Sequence, residues 1–63
     1  MPLNIRFSLQ GNPIKEIKEN SDADLLKTVL SVNHVTINHT YYKIDRRVYD
    51  DDSNTLILVL INQ

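Results

Sequence analysis

Cysteine is absent from this 63-residue chain, glycine occurs once, and the glycine and both prolines fall within the first 13 residues. The lack of cysteine excludes disulfides and thiolate metal sites and points to a reducing compartment, so the cytoplasm is the expected location. The scarcity of glycine and proline after Pro13 argues against a disordered, low-complexity tail. Charge of one sign is not in excess either. Seven basic and eight acidic residues leave a net charge of -1, which gives no global pull toward nucleic acid or an anionic membrane. Met1-Pro2-Leu3-Asn4-Ile5-Arg6 has no basic segment leading into an apolar one and no small-residue cleavage site, so no export signal is expected. Long hydrophobic runs are also lacking. The longest, Leu56 to Ile61, has six residues, far short of the roughly 20 that a membrane helix needs, and no membrane partner is expected.

That run is nevertheless the feature to be explained. As a strand it places Leu56, Leu58 and Leu60 on one face and Ile57, Val59 and Ile61 on the other, so both faces need cover. A chain of this length, read as one domain over residues 1–63, buries only about 60% of the surface its unfolded form exposes. With disulfides excluded, self-association is the remaining way to add stability.

From the N-terminus, Leu3, Ile5, Phe7 and Leu9 alternate with polar residues and predict a strand that ends at the turn cluster Gln10-Gly11-Asn12-Pro13. Residues 14–20 are ambiguous between strand, helix and linker, with an extended return strand or irregular linker as the preferred reading. Ser21 and Asp24 approach a capping box, with Asp22 in the first turn. A helix over about residues 22–32 should follow, with Ala23, Leu26, Val29 and Leu30, joined by Leu25 and Val32, as its apolar stripe and Asn33 as its stop. Three strands are then expected over about 34–37, 40–49 and 55–61, with a tight turn at Asn38-His39 and a polar turn at Asp50 to Asn54. Uninterrupted alternation in the second of these puts Tyr42, Ile44, Arg46 and Val48 on one face and Tyr41, Lys43, Asp45, Arg47 and Tyr49 on the other. The expected fold is therefore α+β: an N-terminal strand, one central helix and a C-terminal three-stranded antiparallel meander.

Few residues suggest chemistry. Asp50, Asp52 and Asn54 match the first ligand positions of a calcium loop, but Thr55 stands where that loop needs glycine and Ile61 where it needs glutamate, so a solvated turn is the better reading. His34 and His39 lack a third ligand at a recognisable spacing. There is no glycine-rich phosphate loop, no cysteine nucleophile and no serine elbow, so neither catalysis nor a cofactor or metal is expected.

The segments Ile37-Asn38-His39, Tyr42-Lys43-Ile44, Tyr49-Asp50-Asp51-Asp52 and Leu56-Ile57-Leu58 resemble the C-terminal half of many small uncharacterised proteins of Gram-positive bacteria and their phages or mobile elements. Those often carry Asn-Gly where this chain has Asn38-His39. The resemblance spans roughly 30 residues; it implies a phage or mobile-element origin and no particular activity. The residues themselves support a non-enzymatic homo-oligomeric module, most simply a dimer, acting as an interaction or adaptor protein. Ile57, Val59, Ile61, Tyr41 and Tyr49 are its expected interface, with Leu56, Leu58 and Leu60 as the other face of the last strand that could serve instead. The alternative is a small nucleic-acid-binding regulator that uses Arg6, Lys43, Arg46 and Arg47 on a basic and aromatic ribbon. A third reading is an inhibitor that contacts a host protein through Asp50 to Asp52.

Overall fold

The structure, a computed structural model, describes residues 2–62. These form β1 (Leu3–Leu9), β2 (Asn12–Asn20), α1 (Ala23–Ser31), β3 (His34–Ile37), β4 (Thr40–Asp50) and β5 (Thr55–Asn62). All five strands belong to one sheet in the order β2-β1-β5-β4-β3. β5 runs parallel to β1, from Asn4↔Thr55 to Leu9↔Leu60, and every other pairing is antiparallel.

The expected single strand, helix and three-stranded meander is therefore incorrect. The molecule is a mostly-sheet, mixed, curled half-barrel with one short helix among the described residues. In a meander alone, β5 would present a full row of unpaired N–H and C=O groups at one edge while both its faces are apolar. β1 fills that edge, which moves β5 to the centre of the sheet. β2 then returns along β1 through Gln10 and Gly11, whose φ values of 52° and 83° suit the two-residue hairpin turn that follows strand twist. The N-terminal pair thus widens the sheet and does not fold over it as a second layer.

Residues 14–20 resisted a periodic reading because β2 is an irregular edge strand. Its register against β1 shifts between Leu3 and Ile5 and again between Phe7 and Ser8, and Glu19 has a φ of 51°. Asn4 holds this irregularity in place. Its Oδ1 accepts from the Glu19 N–H at 2.9 Å while its Nδ2 donates to the Ser53 carbonyl at 3.1 Å, tying β2 to the turn before β5. Pro13 is tolerated because an edge strand does not need every N–H.

In α1 the N-cap is Asp22, not Ser21. Its Oδ1 accepts from the N–H groups of Asp24 at 2.9 Å and Leu25 at 3.2 Å. The helix places Val29 in the core with Leu25, Leu26 and Val32 against it, whereas Ala23 and Leu30, expected in the stripe, are exposed. Ile5, Phe7, Ile44, Leu56, Leu58 and Leu60 complete the core on the concave side of the sheet. The β5 leucines are thus the inward set, and Ile57, Val59 and Ile61 point outward. The Asn38-His39 hairpin forms as expected, with both residues at positive φ (51° and 64°). Among the described residues no helix is long and apolar enough to cross a membrane.

Leu58 is fully buried, so Leu58→Ala should cost about 2–5 kcal/mol. A domain of this size has only about 3–9 kcal/mol in total. Urea unfolding followed by circular dichroism should show the variant's midpoint far below the parent's, with a loss of about 2–5 kcal/mol. Asp22→Ala should cost about 1 kcal/mol, while Ser21→Ala stays within about 0.5 kcal/mol.

Candidate functional site

The register across β4 and β5 decides which side chains share a surface. It slips between Ile44 and Arg46, leaving Asp45 as an extra residue in β4. Beyond that bulge, alternation restarts on the opposite phase. Tyr41, Lys43, Arg46, Val48 and Asp50 register with the outward residues of the sheet, and Tyr42, Ile44, Arg47 and Tyr49 with the inward ones. Both faces expected for this strand were therefore a mixture of the true ones, because a one-residue insertion exchanges the sides.

On the outward, convex face the cross-strand rows can be followed directly. Glu16, Arg6, Ile57 and Val48 form one row; Ser8, Val59 and Arg46 form the next; Ile61, Lys43 and His34 form the third. An aliphatic seam along β5 is thus flanked in each row by one cation. Ile57 and Val59 are half-buried, and Val48 and Ile61 are 43% and 40% exposed. Tyr41 stands at the end of this face, stacked on the His34 ring with centroids 5.0 Å apart and planes 15° from parallel.

Arg6 Nε lies 3.8 Å from Glu16 Oε1, close enough for an ion pair but too long for a hydrogen bond. That nitrogen is buried and has no hydrogen-bond partner among the described residues. Its aliphatic stem is well placed to cover part of the seam while the guanidinium end stays at the surface.

Of the five residues expected at an oligomer interface, Ile57, Val59, Ile61 and Tyr41 share the convex face. Tyr49 does not. It pairs with Leu56 on the inward register and donates its hydroxyl to Asn54 Oδ1 at 2.8 Å. Of the four residues expected to contact nucleic acid, Arg6, Lys43 and Arg46 share the convex face, and Arg47 is separated from them. Its Nε donates to the Val29 carbonyl at 3.2 Å and its Nη2 to the Val32 carbonyl, both at the C-terminal end of α1. The helix has no basic residue in its own last turn, so Arg47 supplies from β4 the positive charge that this end favours.

In the acidic turn, Asp50 and Asn54 are engaged in local and long-range hydrogen bonds. Asp50 accepts from the Asp52 N–H at 3.1 Å and the Ser53 hydroxyl at 2.9 Å, and Asn54 donates to the Pro2 carbonyl at 2.6 Å. Among the described residues no group of three or more histidine, aspartate or glutamate side chains is arranged to hold a metal.

A second surface feature was not visible in the chain. A cleft of about 430 Å³ opens on the concave side between α1 and the two edge strands, lined by Phe7, Ile17, Leu25, Val29, Val35 and Ile37 among others. Among the described lining residues, Lys15 is the only one with a fixed charge. The signal that could have revealed it is the split between the sheet's edges, which only the strand order brings together. Comparisons with protein-family models, curated proteins and solved structures give no match.

The bulge separates two arginines adjacent in sequence. Arg47→Met should destabilise the fold by about 1–2 kcal/mol through lost charge-assisted hydrogen bonds. Arg46→Met, on the exposed convex face, should stay within about 0.5 kcal/mol. Paired urea titrations of the two variants measure the difference.

Proposed function

We propose that this protein is a non-enzymatic interaction module that self-associates through the convex face of its sheet. The observation that carries the reading is the aliphatic seam of Val48, Ile57, Val59 and Ile61 at the centre of the sheet, which the fold's own helix cannot reach because it occupies the other side. Ile57 and Val59 already bury part of their surface, so each contributes less than the roughly 1.5–3 kcal/mol of a fully transferred aliphatic side chain. The domain measures 33 × 23 Å across its two longer axes. One whole face is thus close to the ~800 Å² that each partner gives to a standard interface. A dimer that uses most of the convex face meets that requirement; one that uses a corner does not. A dimer would also shield an exposed aliphatic surface that otherwise favours aggregation.

Light scattering coupled to gel filtration at micromolar concentration should give twice the mass of the chain. Val59→Lys should give monomer or insoluble protein, and a strictly monomeric parent at that concentration would count against self-association.

One observation favours a second reading, a small nucleic-acid-binding regulator. The bulge at Asp45 gathers Arg6, Lys43 and Arg46 on one face beside Tyr41. Three cations on phosphates would make log K fall against log salt with a slope of about -2 to -3. Fluorescence anisotropy with a labelled single-stranded oligonucleotide should then show binding at low salt that Arg46→Met weakens and Arg47→Met does not. No binding at low salt removes this reading.

A further inference from the structure

The two edges of the sheet are built differently. β2 carries devices that keep a second strand away: Pro13, two register shifts, and the charged residues Lys15, Glu16, Lys18 and Glu19. β3 carries none of these. His34-Val35-Thr36-Ile37 has no proline, no bulge and no residue of fixed charge, and its only protection is its length of four residues. Among the described residues no strand pairs with its outer edge, so alternate N–H and C=O groups there are left for another chain.

That unprotected edge borders the concave cleft. Every residue from His34 to Asn38 lines it, with Val29 and Leu25 of α1 behind and Lys15 of β2 at the far rim. Because the sheet curls, β2 and β3 face each other across this opening, and one more strand along β3 would narrow the gap in the half-barrel. We infer that β3 and the cleft form a docking site for an extended peptide segment of a partner protein, which adds a strand to β3. Such a segment places aliphatic side chains into the cleft at alternate positions and an acidic residue beside Lys15.

Each element of the ligand's chemistry follows from one part of the site. The free edge requires an extended backbone with its N–H groups intact. Strand alternation sends every second side chain toward the cleft, whose walls of Phe7, Ile17, Val29 and Val35 select aliphatic groups. Lys15 selects an acidic flank because it is the only lining residue with a fixed charge. The site uses the concave side and the free edge, and therefore stands whether or not the convex face self-associates.

The test uses the full chain and the peptide acetyl-Asp-Asp-Val-Thr-Ile-Thr-Val-amide, with a control in which both threonines are proline. Binding is followed by amide chemical shifts and hydrogen exchange. We expect a Kd below about 1 mM, added protection confined to His34 to Ile37, and no binding of the proline control, which lacks the donors. Thr28→Phe, which fills the cleft from an exposed helix position, should weaken binding about tenfold or more. Lys15→Glu, which keeps the cleft open, should weaken it about threefold or more at low salt. The proposal is overturned if the peptide does not bind in this range, or if the proline control binds equally well. It is also overturned if binding is indifferent to Lys15→Glu, if the shifts fall on Val48, Ile57 and Val59, or if β3 becomes protected with protein concentration alone, which would make the occupant a second copy.

Discussion

The whole fold depends on closing three of the four sides of β5 at once. Both of its edges carry backbone hydrogen bonds, to β1 on one side and β4 on the other. One face, Leu56, Leu58 and Leu60, is sealed under α1. The fourth side, Ile57, Val59 and Ile61, meets no second layer among the described residues. A 63-residue chain offers one helix among its described residues and so one cover, and the strand that needs the most burial takes the centre of the sheet. Thr55, 2% exposed at the start of β5, closes its own hydroxyl onto the Ser53 carbonyl at 3.1 Å, so even the polar end of the strand enters the interior with its hydrogen bond made.

The two faces of the sheet have different chemistry because of one inserted residue. Asp45 sends Arg46 outward, next to the aliphatic seam, and Arg47 inward, onto the end of the helix. Without the bulge, the cations of β4 would be divided differently and the helix would lose the charge that complements its C-terminal carbonyls. The same local irregularity that binds the helix to the sheet also defines the convex surface. The edges divide in a similar way, since β2 is guarded by charge and proline and β3 is open beside the cleft.

Much of the local structure was legible in the residues. The doubly apolar run at 56–61 read as a buried strand, the apolar spacing of Leu26, Val29 and Val32 as a helix, and Asn38-His39 as a hairpin, each because a single periodicity or turn propensity governs it. The long-range pairing was not legible. Nothing in Leu3 to Leu9 distinguishes a strand that lies parallel beside β5 from one that packs over it, since both need the same alternation. β2, for which an extended return strand was among the preferred readings, stayed ambiguous for the opposite reason: two register shifts erase the period, and Ile14 and Ile17 at three-residue spacing imitate a helix. At the candidate sites, the two faces of β5 were legible as alternating sets, but which of them points outward was not. The roles of Tyr49 and Arg47 were not legible either, because the bulge reverses the faces beyond residue 44 and Asp45 has no composition that marks it.

The central claim is that a second copy of the chain covers the outward side of β5. Its most direct measurement is an isotope-filtered nuclear Overhauser experiment on an equal mixture of labelled and unlabelled protein. The account predicts contacts between protomers from the methyl groups of Val48, Ile57, Val59 and Ile61. Contacts between protomers that arise only from β3 or the cleft, or none at a concentration where the mass is dimeric, would contradict it.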